Sequence, residues 1–296
     1  MFFTTILTFL CSVLLSYVLY FPSLVLSYKT GAIDNPNSRK MHTLPTARAG
    51  GLAFFVTFCA ILLVSPIKTD TKVPLVLSGT LIFLIGFLDD ALSLSPFQKL
   101  SGQFLASSVY LFSSSAKSLP QSILTIAWLI FIVNATNLSD GLNGLAGGIC
   151  ASESLCLAVL SLSLGNIEVF WCSVLLLGAI LGFLPNNFPK AKIFMGDCGS
   201  LFLGFILAVL SSKLVFESKN PIVAISILLI FRIPTYDTNM SIIRRILKGK
   251  SPFKADKEHF HHQLIKHGFS KECTTLALVS AALFFGLLGI IVSVIK

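Results

Sequence analysis

Apolar residues do not alternate with polar ones along this chain; they gather into runs separated by short polar links. A helix rises 1.5 Å per residue, so about 20 apolar residues cross the roughly 30 Å of bilayer hydrocarbon. On that measure the pattern predicts ten helices, at 3–26, 50–66, 74–90, 99–115, 121–138, 142–164, 168–186, 199–216, 221–247 and 274–294. The fourth is the least apolar, because Ser107, Ser108 and Ser113–Ser115 dilute it. The ninth contains Arg232, Pro234 and Asp237 and is expected to kink or to continue out of the bilayer. The expected fold class is all-α: a polytopic transmembrane bundle of about ten spans, residues 1–296 forming one integral-membrane domain with its reactive loops on the cytoplasmic face. No charge precedes Lys29 and no basic region leads the first apolar run, which argues for a retained first span over a cleaved signal peptide.

Charge gives the bundle an orientation. With the first helix running inward, fifteen Lys and Arg side chains fall on one side and six on the other, while Arg232 stays inside a helix. Positive residues remain inside, so both termini are expected outside and the loops 27–49 and 248–273 in the cytoplasm. The net charge of +9, in a chain 54% hydrophobic and only 12% charged, then reads as topology and gives no reason to expect nucleic acid. The seven cysteines lie mostly within apolar runs, in an odd number and without paired spacing, so they are expected to be buried and to form no disulfide framework or zinc knuckle.

The same orientation sorts the chemistry. Asp89, Asp90, Asn134, Asn137, Asp140, Asn187, Asp197 and the histidines 42, 259, 261 and 262 all fall at cytoplasmic ends, and the outer loops hold almost nothing reactive. In GFLDDALSLSPFQKLSGQ two adjacent carboxylates close an apolar helix. Alone they would only mark a membrane boundary, but a short turn could return Lys99 to their surface. In NATNLSDGLNGLAGG, Asn137 and Asp140 share a helical face. Asn offers carbonyl oxygens to a hard cation and amide donors to a base or phosphate. The glycines there also suit close helix packing, and the two glycosylation sequons of the segment lie on the wrong side to be used. In GFLPNNFPKAKIFMGDCGS, Asp197 sits near a helix N-terminus, where it could cap the helix or serve a ligand. Phe194 beside it is core or a stacking platform. The segment 244–270 is basic and carries His259, His261 and His262, without the ligand spacing of a zinc site. Gly249-Lys250-Ser251 mimics the end of a phosphate loop, but Arg244 stands where that loop requires glycine, so no ATP site is indicated.

Four acidic groups, several amides and a ring of Lys, Arg and His at one membrane surface equip a protein to handle a phosphoryl group with a metal ion. The blocks RKMHTLPTARAGG, GFLDD, NATNLSDGLNGLAGG, NNFPKAKIFMGDCGS and DKEHFHHQL, in this order over residues 34–270, resemble the polyprenyl-phosphate N-acetylhexosamine-1-phosphate transferase family. The His-x-His-His block resembles the bacterial branch that initiates O-antigen, common-antigen or teichoic-acid chains, more than the phospho-MurNAc-pentapeptide translocase of peptidoglycan synthesis.

The resemblance implies transfer of HexNAc-1-phosphate from a UDP-N-acetylhexosamine to undecaprenyl phosphate with release of UMP, at the inner membrane of a bacterium. Mg²⁺, or Mn²⁺ in its place, is the implied cofactor. The lipid bilayer and a second copy of the chain in a homodimer are further implied partners. By position, Asp197 would bind metal with Asn137 and Asp90 as partners, and Lys99 would contact phosphate. Asp89 and Asp90 would orient or deprotonate the acceptor. Asn134 would bind substrate, while Asn187, Phe194 and Asp140 would line the nucleotide pocket. Arg48, His259, His261 and His262 would meet the diphosphate or sugar. One departure is Lys190, where the family often has a second proline. A transporter is the rival class, since Arg232 and Asp237 are intramembrane charges, but no internal repeat accompanies them.

Overall fold

A computed structural model describes residues 2–36, 45–114, 118–218, 220–249 and 259–294. His42, Lys250 and Ser251, part of the first motif block and the start of the last fall outside these residues. The helices are α1 (Phe2–Val18), α2 (Tyr20–Thr30), α3 (Gly51–Val64), α4 (Thr69–Leu92), α5 (Pro96–Ser113), α6 (Leu119–Leu138), α7 (Leu145–Ser163) and α8 (Ile167–Phe183). They continue as α9 (Gly196–Ser218), α10 (Pro221–Ile230), α11 (Arg232–Leu247), α12 (Phe260–Lys266) and α13 (Lys271–Val294). The all-α expectation holds, with one addition: a two-residue antiparallel pair, β1 (Ile33–Asp34) with β2 (Thr46–Ala47).

Every expected apolar run is helical, and three differences have physical causes. Among the described residues seven helical segments are long and apolar enough to cross a membrane, or eight if the bent pair α10 and α11 counts as one span. The expectation was ten, but α3, at 14 residues, would span only about 21 Å, and serines dilute α5. The ninth run breaks at Phe231, where α11 turns 78° away from α10. Pro234 is accommodated in the first turn of α11, where N–H groups lack helical acceptors in any case. The seven-residue α12 has no counterpart among the expected elements.

α9 is the axis of the bundle, packed by α3, α4, α6, α7, α8 and α10. Between apolar helices in lipid, association rests on close packing rather than on expulsion of water. Gly51 of α3 and Gly86 of α4 face the first turn of α9, and a Cβ on Gly86 would come within 2.5 Å of the Asp197 carbonyl oxygen. Outward faces of α1 and α13 carry exposed Leu10, Leu14, Phe284 and Leu287, as lipid contact requires. The end of the bundle opposite Asp197 holds one ion-paired cluster, in which Lys213 and Thr71 both meet Glu168 Oε2 at 2.6 Å and tie α4, α8 and α9 together.

Gly86→Leu is expected to force α4 off α9, at an overpacking cost of about 1–3 kcal/mol or more, and so to lower the melting temperature in detergent. Phe112→Leu, on an exposed face, should leave it unchanged.

Candidate active site

α4 ends on Asp89 and Asp90, and the turn behind them reverses the chain quickly. Ser93 adopts a left-handed conformation (φ 55°), and its N–H donates to the Asp89 carbonyl at 2.8 Å. Ser95 then caps α5: its Oγ accepts from the Gln98 N–H at 3.3 Å, while Gln98 Oε1 accepts from the Ser95 N–H at 2.9 Å. This turn brings Lys99 back to α4. Its Nζ lies 2.8 Å from Asp89 Oδ2 and donates to Asp197 Oδ2. The other Asp89 oxygen accepts the Leu94 N–H at 2.9 Å.

Asp90 points elsewhere. Its side chain is fully buried; Oδ1 accepts the Asp197 N–H and Oδ2 the Cys198 N–H, both at 2.9 Å. These N–H groups open α9 and have no acceptor within it, so the carboxylate of α4 caps α9 and meets the positive end of its dipole. Asp197, for which the sequence left capping and ligand service both open, is thereby available for other contacts. Its Oδ1 accepts from Asn137 Nδ2 at 3.1 Å, and the same nitrogen lies 2.9 Å from Ser200 Oγ. Arg48 reaches the group from β2, with Nη2 3.3 Å from Asp90 Oδ1 and 3.7 Å from Asp197 Oδ1, and Nη1 3.7 Å from Asp34 Oδ1. Backbone bonds hold β2 there: the Phe194 N–H donates to Ala47 at 2.8 Å and the Gly50 N–H to Phe194 at 3.0 Å.

A cavity of about 680 Å³ opens beside this cluster, lined by Arg48, Asp140, Phe194, Lys190, His261 and His262 among others. Burial, and after it the charge of Asp197, pushes the Asp140 carboxyl up to about 7, against the pull of Arg48. Burial and the neighbouring His262 and His259 hold His261 down to about 4, so it is neutral at pH 7. Burial alone would lower the Arg48 guanidinium, yet Asp90 and Asp197 outweigh it and hold it above its ordinary value.

The other expected site residues divide into wall and frame. Asn187 borders the cavity, but its amide is used by the backbone: Oδ1 accepts the Gly144 N–H at 2.8 Å and Nδ2 donates to the Ile193 carbonyl at 2.9 Å. Asn134 pairs with Gln103 between α6 and α5, at 2.7 and 3.3 Å, and is absent from the cavity lining. It was expected to bind substrate, and here it clips two helices. His259 is buried behind the cavity wall against Asp237. Arg232 and Asp237, the charges behind the transporter reading, do not form a midplane site: Arg232 is exposed and lies 4.6 Å over the Tyr236 ring, and Asp237 pairs with His259. Asp34 escaped the sequence reading, and Asp237 entered it only as an intramembrane charge. Gln103 and Ser200, the last residues of two quoted blocks, carried a local signal but were not singled out as site-forming.

Among the described residues no three His, Cys, Asp or Glu side chains form a ready-made metal cage. Lys99 stands between Asp89 and Asp197, and Asp90 is committed to backbone. Oxygen donors of the kind a hard cation takes remain on Asp197, Asn137 and Asp140. Arg48 pairs with Asp34, Asp90 and Asp197, and Lys99 with Asp89 and Asp197, with Asp140 close by, so carboxylates outnumber these two cations among the described residues of the cluster. That surplus of negative charge suits a divalent cation completed by ligand oxygens.

Fold and site together define a membrane-embedded centre for a phosphoryl-bearing ligand at one end of a helix bundle. Residues 73–215 match the family model described as "Glycosyl transferase family 4". The chain is 36% identical over 283 residues to a Bacillus subtilis protein named "Probable undecaprenyl-phosphate N-acetylglucosaminyl 1-phosphate transferase", an alignment covering 90% of this chain and 78% of that one. It is 34% identical to the decaprenyl-phosphate N-acetylglucosaminephosphotransferase of Mycolicibacterium smegmatis, over 86% and 73% of the two chains. Against the undecaprenyl-phosphate alpha-N-acetylglucosaminyl 1-phosphate transferase of Thermotoga maritima it is 33% identical over 90% and 84%. The chain belongs to glycosyl transferase family 4.

Gly141 lies against the His261 ring, with no room for a Cβ. Gly141→Ala is expected to displace that ring and raise the donor KM about tenfold or more in a turnover assay. Asn134→Leu should lower detergent stability by about 0.6–1.7 kcal/mol by stranding Gln103, with recovery in the Gln103→Leu/Asn134→Leu double variant. An unchanged donor KM in both would confine Asn134 to the frame.

Proposed function

We propose that this protein transfers N-acetylhexosamine-1-phosphate from a UDP-N-acetylhexosamine to undecaprenyl phosphate, releasing UMP and leaving the sugar on a lipid diphosphate. The observation that carries the reading is the convergence of Asp89, Asp197, Lys99 and Arg48 beside a 680 Å³ cavity at the end of the bundle. There a water-soluble donor can meet the head group of a lipid acceptor. Family membership supports the reaction class, and the relatives' names make N-acetylglucosamine the first sugar to test. The excess of Lys and Arg on the loops at this end supports a cytoplasmic orientation.

The side chains act mainly through charge and position. Lys99 and Arg48 take up charge that spreads over the phosphoryl oxygens as the acceptor attacks and UMP departs. Asp89 fixes the Lys99 ammonium; it is not needed as a base, because a phosphate monoester with second pKa about 6 is already largely dianionic at neutral pH. Phe194 offers an aromatic face to the uracil, and neutral His261 with His262 offers hydrogen bonds to the sugar or diphosphate. Asp197, Asn137 and Asp140 would hold Mg²⁺, which, when bound, neutralises the diphosphate and its leaving group. One phosphoanhydride replaces another, so no further energy source is required.

Purified protein with undecaprenyl phosphate and radiolabelled UDP-N-acetylglucosamine is expected to move label into the lipid phase with stoichiometric UMP release, and EDTA should stop it. Asp197→Asn is expected to fold yet lose at least about 100-fold in rate. Substantial turnover in that variant would remove Asp197 from the centre. Failure of wild-type protein with every UDP-HexNAc would remove the reaction.

A further inference from the structure

The histidine block hangs on a contact outside the cavity. α12 has only seven residues, far fewer than the roughly 12–15 that an isolated helix needs to hold itself in water. Its place must therefore come from tertiary anchors. Its N-cap residue, His259, makes no side-chain capping bond of its own. The cap comes instead from Asp237 on α11, whose Oδ1 accepts the Phe260 N–H at 3.0 Å. The other oxygen of Asp237 lies 2.9 Å from His259 Nδ1, with Ser241 Oγ 3.3 Å from the same nitrogen. A carboxylate can only accept, so Nδ1 carries a proton. The Tyr236 ring stacks on Phe260 at 5.5 Å and 8° between planes, so adjacent residues of one helix grip α12 by charge and by ring contact.

Geometry passes from this grip to the cavity. The His259 ring lies parallel to that of His261 at 6.0 Å, and His261 lies 4.2 Å from His262. His261 and His262 line the cavity and His259 does not. Asp237 is itself buried, six residues beyond the 78° break that turns α11 away from α10. Without that break, position 237 would continue along the axis of α10 and could not reach α12.

We infer that Asp237 is a positioning residue: by capping α12 and holding His259 as its Nδ1–H tautomer, it presents His261 and His262 to the sugar-diphosphate donor. The inference rests on the proposed reaction for the identity of that donor. It gives the broken span a task, to carry an acid out of the membrane axis and set the donor-facing wall.

The test uses full-length protein in detergent. Asp237→Asn can still accept the Phe260 N–H but cannot offer His259 a charged acceptor. The donor KM is expected to rise about tenfold, the worth of one charge-assisted hydrogen bond, with kcat within about threefold of wild type. Nitrogen-15 NMR of histidine-labelled protein, which has five histidines, should show an Nδ1–H tautomer for His259, assigned apart from that of His267, whose Nδ1 donates to the Gln263 carbonyl at 2.8 Å, and the loss of the His259 signal alone in the variant. That signal needs no turnover, so it reports the Asp237–His259 contact even from a protein that transfers nothing. Wild-type turnover with an unchanged KM and tautomer in Asp237→Asn overturns the inference and leaves the reaction standing. If Asp237→Asn does not fold, Asp237→Glu keeps the charge and moves it by one methylene. It should retain the tautomer and still raise KM, and an unchanged KM there overturns the inference equally.

Discussion

A single buried carboxylate, Asp90 of α4, lies across the first turn of α9 and takes two backbone N–H groups at 2.9 Å. Burying a charge among apolar helices costs several kcal/mol unless hydrogen bonds and opposite charge offset it. Here two N–H donors, the helix dipole and Arg48 at 3.3 Å offset part of that cost. The contact sets the depth and rotation of α9 against α4, and glycine at 51 and 86 is what lets the helices come close enough to make it. Once Asp90 caps the helix, Asp197 need not, and its carboxylate turns to Lys99 and Asn137. Two neighbouring aspartates thus divide the labour: Asp90 builds the helix junction, and Asp89 holds the lysine.

Charge balance then links frame to chemistry. At an effective dielectric of about 20, two unit charges 4 Å apart interact by roughly 4 kcal/mol, so an unbalanced carboxylate in this cluster is expensive. Lys99 and Arg48 each serve at least two acids, while burial, with the charge of Asp197 after it, raises the Asp140 carboxyl to about 7.

Much of this was legible in the sequence, and the limit is instructive. Apolar runs located the helices because lipid imposes a length, and the polar blocks stood out against so apolar a chain and converge at one end of the bundle. Adjacent positions 89 and 90 differ by about 100° around a helix, yet nothing local says which faces α9; that depends on where α9 packs. Asn134 looked like a ligand for the same reason that Asn137 did. Three residues apart on one face, they are separated only by their partners, Gln103 for one and Asp197 for the other. Asp34 gave no signal and Asp237 read as an intramembrane charge rather than as a partner of His259, since their partners are 14 and 22 residues away.

The broken span shows how one sequence feature acquires two meanings. A proline and two charges inside an apolar run read equally well as a transporter's discontinuous helix or as a helix leaving the membrane. What separates them is where the polar groups end up. In a transporter they would converge on the midplane, whereas here Asp237 is turned 78° off the α10 axis and bonded to the backbone and ring that begin α12. The break therefore supports the α12 histidines from outside the cavity, and the Asp237 carboxylate is satisfied there by the backbone and ring that begin α12. One bend thus reconciles an acid that the apolar span could not hold with a short helix that could not hold itself.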